Sequence, residues 1–366
     1  MSPVFTINPS GKPVASGLNW ARLGLTQNPF PESGVLGAAI YTDHMPDVFG
    51  KVTRWLGEVV NAPVGGPRGP FALEGTIGAG KTHLLAQIER DVNELNNLGI
   101  VVIRENLVNA GGGRLLLSTL FGSNLRLGEI AAAALEDTGL PEALEALPSA
   151  SPIRFPLGSG PSAETLALWL RGSPLTRRQL QSIGGRTLDG EGERLRAVIH
   201  LLRVSATLGQ TKLVLFLLDQ LEDLERKEEV TALRRARFLT DLRIYIDEGL
   251  EGAPIALCTA WNTEGQSFMR TLEKQYPALA SRLDNRATVP GLPQSHLLPF
   301  AQAYLDKAYG TTKKRALQLD MKTASTLMAG LRQLPGGDLA PREWLDQLRQ
   351  WAEREVQRVN ATSSSQ

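Results

Sequence analysis

The chain has 366 residues, enough for about two domains. With 42% apolar and 21% charged residues it has the composition of a soluble globular protein, and a net charge of +1 excludes bulk attraction to nucleic acid or membrane, so any such surface must be local. The single cysteine, Cys258, excludes an internal disulfide framework and fits a reducing cytoplasm, and no apolar run reaches the length of a membrane span.

Residues 1–40 are rich in Gly, Pro, Ser and Asn and read as an irregular arm, with "NPFPES" as its strongest turn signal and no secretory pattern at its start. A helix is predicted over "DVFGKVTRWLGEVVN", where Val48, Val52, Leu56 and Val60 recur every four residues. A short strand, "GPFALEG", then meets "GTIGAGKT", Gly75 to Thr82, which fits the phosphate-loop pattern of glycine, four residues, glycine, lysine and a hydroxyl residue. Glycines let such a backbone wrap round phosphate oxygens, and the following helix points its amino end at them. Lys81 would bridge the outer phosphates of a nucleotide and the Thr82 hydroxyl would hold Mg2+, with Gly75, Thr76, Ile77, Gly78, Ala79, Gly80 and His83 completing the lining. A Gly-rich turn capping a helix would explain the glycines, but not a lysine at the helix's first turn, where a cation is disfavoured unless an anion is bound.

The helix "KTHLLAQIERDVNEL" and the strand "GIVVIRENL" continue the alternation of a parallel sheet. From about 137 to 192 the character changes: six prolines lie between Pro141 and Pro174, and a Gly-rich end follows. This reads as an insertion with short helices, either a surface excursion or a partner-contact module. A helix near "RLRAVIHLLRVSATLG" leads to "LVLFLLDQLEDL", a buried strand whose carboxyl end presents Asp219, placed to hold Mg2+ through water beside Thr82. Gln220 follows and cannot accept a proton. If the chain stays extended, Gln220 and Glu222 share a face, with Glu222 about 6.5–7 Å further on. Glu222 is therefore assigned as the base, with Asp223 in reserve; both acids could instead start the next charged helix. The strand "APIALCTAW", a helix near "EGQSFMRTLEKQY", the short strand "ATVP" and helices near 295–308, 321–333 and 341–358 complete the chain, and "NATSSSQ" is expected to be disordered.

With these motifs the chain resembles the AAA+ ATPases, in the branch of origin-recognition initiators, transposition regulators and bacterial defence ATPases. The resemblance implies an α/β fold: a parallel-sheet P-loop core at 41–292 with crossover helices and the 137–192 insertion, an all-helical lid at 293–359, and a tail at 360–366. It further implies that Asn262, or failing it Thr259, senses the terminal phosphate, that Arg282, with Arg286 in reserve, reaches a neighbouring subunit's site, and that Arg342 contacts phosphate from the lid. "NPFPES" resembles the segment that approaches adenine, and "DQ-hydrophobic-E" resembles a variant in which the later glutamate is the base. "WLRGSPLTRRQLQSIGG" is similar to an insertion in ATP-binding components of phage-defence islands. The implied partners are further copies in a ring or filament, DNA, and proteins of a defence or mobile-element system, without membrane. Local support for DNA is confined to "LRRARFLTDLR" (233–243) and "TTKKR" (311–315), either of which could be a solvated face. Three readings follow: an ATPase acting on DNA, a slow nucleotide switch, and a nucleotide-stabilised scaffold.

Overall fold

Five strands form one parallel sheet in the computed structural model: β1 (Phe71–Gly75), β2 (Ile100–Asn106), β3 (Leu213–Asp219), β4 (Ile255–Asn262) and β5 (Arg286–Thr288), ordered β2-β3-β4-β1-β5. The structure describes residues 18–31, 41–95, 99–107, 126–147, 151–153, 162–185, 187–188, 190–225, 230–263, 267–310, 316–331, 333–334 and 337–363. Two units are distinguished, residues 36–290 and residues 1–35 with 291–366.

The sheet lies in the first unit, and its side chains separate by parity. Leu213, Leu215 and Leu217 of β3 join one buried cluster, while Val214, Phe216 and Leu218 join another. A strand turns successive residues to opposite faces, so burial of all seven β3 residues requires cover on both. Helices α1 (Pro46–Asn61) and α2 (Lys81–Glu94) cover one face through Val52, Trp55, Leu84 and Ile88. The other face is covered by α7 (Gly190–Thr207) and α8 (Ala232–Leu250), through Leu195, Val198, Phe238 and Leu242. The α/β class expected from the alternation of elements is the one observed, and Cys258 is fully buried in β4.

The described part of the segment between β2 and α7 packs into the core. It forms α3 (Arg126–Glu136), α4 (Leu140–Glu145), α5 (Ala163–Arg171) and α6 (Arg177–Ser182). Ile153, Leu166, Trp169, Leu170 and Ile183 are buried in the same cluster as Phe216 and Leu218 of β3. Each fully buried large side chain of this kind contributes about 1.5–3 kcal/mol, which fastens the segment to the core despite its prolines. Ser162 caps α5, Thr176 and Gln179 form a reciprocal capping box on α6, and Ser151 Oγ hydrogen-bonds His200 Nδ1 of α7 at 2.7 Å. The helix α9 (Ser267–Gln275) is followed by α10 (Pro277–Arg282), a helix the sequence reading did not predict; Pro277 at its first turn is the signal it missed.

The second unit holds α11 (Leu297–Tyr309), α12 (Met321–Met328) and α13 (Pro341–Ser363). Trp344 and Leu348 are fully buried and Trp351 nearly so, as expected of a helix core. The amino-terminal segment belongs to this unit. Phe30 is buried against Tyr304 and Trp351, with ring centroids 6.0 and 6.4 Å away, and Asn28 Nδ2 donates to Arg349 O at 3.2 Å. The described part of "NPFPES" is thus engaged by its own unit's helices. The last helix continues to Ser363, into the segment whose composition favours disorder, with Thr362 Oγ1 donating to Arg358 O at 3.1 Å.

Candidate nucleotide site

The site is built at the carboxyl ends of β1, β3 and β4, where a parallel sheet with crossovers leaves a crevice. Gly75 ends β1 between β4 and β5. A Cβ there would lie 2.7 Å from Val289 O, so only glycine fits. Gly80, with φ of 103°, takes the left-handed conformation that swings the chain into α2. The amino end of α2 has no side-chain cap, so its first N–H groups are left to an anion. Lys81 Nζ bends back to donate to Gly75 O at 2.9 Å and Thr76 O at 2.8 Å, holding a buried cation over the loop. Thr82 and His83 are half-buried on the first turn, Gly78 and Ala79 lie within the loop, and Ile77 is 55% exposed, leaving its backbone as the contact it can offer.

Register places Asn262 level with the start of this loop and Thr259 opposite Ala72, further down the sheet. Asn262 of β4 is the partner of Gly75, and Thr263 N donates to Gly75 O at 3.1 Å. Thr259, the reserve for the phosphate sensor, is fully buried and its Oγ1 donates to Leu218 O at 3.1 Å, so it serves the sheet. Asp219 closes β3; its Oδ1 accepts from Gln220 N at 2.9 Å, and its Oδ2 is buried with no hydrogen-bond partner among the described residues.

The chain does not stay extended past Asp219. Gln220 has φ of 59°, the single positive value outside glycine among the described residues, and Leu221–Glu225 then forms a 3-10 turn closed by Asp223 N donating to Gln220 O at 3.0 Å. The expected strand-face relation between Gln220 and Glu222 is therefore wrong. A left-handed glutamine costs about 1–2 kcal/mol, a strain of the kind that collects at functional sites. Its effect is to turn Glu222 towards β4, where the carboxylate accepts the backbone N–H of Asn262 and lies within the field of Lys81. Burial dominates and raises the Glu222 pKa. The N–H bonds and Lys81 act in the opposite direction, and neighbouring Asp223 adds to the rise. Glu222 Oε2, Gln220 Oε1 and Thr76 Oγ1 are, like Asp219 Oδ2, buried without a hydrogen-bond partner among the described residues. Asp223 is also buried.

This donor set fits Mg2+ with a nucleotide. No group of three His, Cys, Asp or Glu able to hold a metal occurs among the described residues, and Mg2+ in general takes most of its ligands from water and phosphate oxygens. Asp219 Oδ2 and the Thr82 hydroxyl are the protein groups suited to it.

The remaining predicted residues lie on other elements. Arg282 ends α10, where its Nε donates to Asp247 Oδ1 of α8 and its Nη1 to Ala278 O at 2.6 Å. Asp247 was not singled out by any sequence pattern. Arg286 sits in β5 with Nη1 3.8 Å from Glu74 Oε2. Arg342 is exposed on the first turn of α13, in the second unit. Of the basic stretches, 233–243 lies on α8 with Arg234, Arg237 and Arg243 exposed, while 311–315 falls outside the described residues. No described helix is long and apolar enough to cross a membrane.

No protein-family model and no curated protein matches the chain. Among solved structures it is similar to the ORC1 protein of Aeropyrum pernix in complex with DNA, at 15% identity and a TM-score of 0.47, covering 87% of this chain and 62% of that one. The ORC2 protein of the same organism, in ADPNP-ADP complexes, matches at 13% identity and a TM-score of 0.42, covering 76% of this chain and 55% of that one. Domain III of the Thermotoga maritima replication initiation protein DnaA matches at 14% identity and a TM-score of 0.36, covering 87% and 86%. The chain thus spans 55–62% of the length of the two ORC structures. Likenesses of this strength decide nothing alone; the class of the molecule, an α/β fold with a phosphate loop, is read from its own sheet and loop.

Proposed function

We propose that the chain is an AAA+ type ATPase that binds ATP with Mg2+ and hydrolyses it between subunits of an oligomer to act on DNA or a DNA-bound partner. One observation carries the reading: Lys81, Asp219, Glu222 and Asn262, from three separate segments, gather at the carboxyl end of the sheet. The backbone of 75–80 and the amino end of α2 would bind the phosphates. Lys81 would exchange its two carbonyl partners for β- and γ-phosphate oxygens. Mg2+, held by Thr82 and Asp219, would neutralise phosphate charge. Glu222 would take the proton of the attacking water, and Asn262 would orient that water or the γ-phosphate. Arg282 would complete the site of a neighbouring copy, and Arg342 of the helical lid would contact phosphate.

The slow-switch reading has its own support. Burial raises the Glu222 pKa and so favours its protonated form, and Gln220 supplies no second base, so turnover should be slow. Action on DNA is supported by the exposed arginines of α8 and by the DNA in the ORC1 complex to which the chain is similar. A role in genome defence, with other proteins of such a system, rests on the sequence resemblance of the 169–185 segment. Phosphate release by the purified chain with Mg2+ and ATP tests the enzyme, and its complete absence would sink it. Filter binding to duplex DNA across a salt series tests the partner: affinity should fall as salt rises, and a flat response would remove the electrostatic DNA reading.

A further inference from the structure

We infer that Asp247 is a positioning residue that sets the guanidinium of Arg282 for use by a neighbouring copy; this rests on the proposed role of Arg282. Asp247 lies in the last turns of α8 and Arg282 at the end of α10, and each side chain is 27% exposed, so their ion pair is largely withdrawn from solvent. Asp247 divides its oxygens. Oδ1 accepts from Arg282 Nε, and Oδ2 faces Arg243 Nε at 3.4 Å, one helical turn back. Arg282 Nη1 donates to Ala278 O at 2.6 Å, within its own helix.

The consequences follow from the shape of the guanidinium. Two of its three nitrogens are fixed, one by a carboxylate and one by a carbonyl, so the plane of the group is fixed too. Nη2 has no partner among the described residues, which leaves one edge of the fork to meet a phosphate oxygen. Asp247 does not neutralise the cluster, because Arg243 shares it: two cations against one anion leave net positive charge for an anionic ligand. Arg286 contrasts with this. Its contact with Glu74 is 3.8 Å long, and its carboxylate is not shared with a second arginine. An ordinary half-exposed ion pair would explain the Arg282 contact alone, but not a carboxylate that orients one arginine while a second offsets its charge.

Mixed-subunit ATP hydrolysis with the full chain tests this. Arg282→Ala copies keep a whole nucleotide site but lack the arginine, and Lys81→Ala copies supply the arginine but not the site; mixing them should restore activity. Placing Asp247→Asn in the Lys81→Ala copies should cut the restored rate by about tenfold, since small misplacements of a transition-state group are costly. The same change in the Arg282→Ala copies should leave the restored rate unaltered, because those copies hold no arginine to position. Asp247→Glu in the Lys81→Ala copies should recover part of the loss. Equal loss from either copy would show a merely structural role and overturn the inference, as would full restoration with Asp247→Asn. No restoration by the unmodified Lys81→Ala copies would instead remove the Arg282 reading itself.

Discussion

The two ends of the central sheet solve the burial of polar groups in opposite ways. At the amino end, before β1, Arg68 is nearly fully buried, and its two terminal nitrogens make four bonds to the carbonyls of Gly66, Ala253, Ala62 and Pro63; only its Nε lacks a partner. Burial lowers the Arg68 pKa. At the carboxyl end, Asp219 Oδ2, Glu222 Oε2, Gln220 Oε1 and Thr76 Oγ1 are buried without any hydrogen bond among the described residues. Backbone carbonyls complete the first end. The second is left open to a ligand. A buried polar atom without a partner costs about 1–3 kcal/mol, so several together on one side of a sheet mark where binding energy is to be recovered.

Substitutions should divide along the same line. The largest effect is expected from Lys81→Ala: ATP affinity should weaken on the order of 100-fold by equilibrium titration, through loss of two charge-assisted bonds, with little change in unfolding. The pH dependence of Glu222 comes next. Its folded pKa lies above the ordinary carboxyl value, so turnover should be full above the raised value and fall, up to about tenfold per pH unit, as pH drops through it. Stability should change in the opposite sense. Between the ordinary and the raised value the folded chain binds more protons than the unfolded one, so denaturant midpoints should decline as pH rises through that window, and Glu222→Gln should flatten the decline.

At the other end, Arg68→Met should destabilise the fold by about 2–4 kcal/mol in urea unfolding while leaving ATP affinity unchanged, because four carbonyls lose their donor. A shift in ATP affinity comparable to that of Lys81→Ala would break the distinction between the two ends. The smallest effect is expected from Gln220→Gly, which relieves the left-handed residue but frees the unfolded chain; stability should rise by about 0.5 kcal/mol.

Much of this was legible wherever the signal is local. "GTIGAGKT" between an apolar strand and an amphipathic helix carries its own geometry, and the run Leu213 to Leu218 could hardly be other than a strand buried on both faces. The turn after Asp219 was not legible, because a glutamine with positive φ bears no mark of it: glycine or asparagine would have announced the turn, and the compensating bond between Asp219 Oδ1 and Gln220 N appears only in space. Glu222 was singled out on an extended-chain argument that fails; the turn, not strand spacing, takes it to Asn262 and Lys81. The prolines of the insertion suggested a surface segment because composition outweighed pattern, although Leu166, Trp169 and Leu170 stand at helical spacing and pack together. Phe30 with Trp351, and Asp247 with Arg282, join residues far apart in the chain, and no window of sequence contains either pair.

Single-turnover cleavage of ATP by Glu222→Gln beside the unaltered chain tests the central claim most directly. The account predicts equal ATP binding with Mg2+ and a cleavage rate lowered about 100-fold or more. Unaltered cleavage would contradict it, and would leave the turn at Gln220 without the catalytic purpose assigned to it.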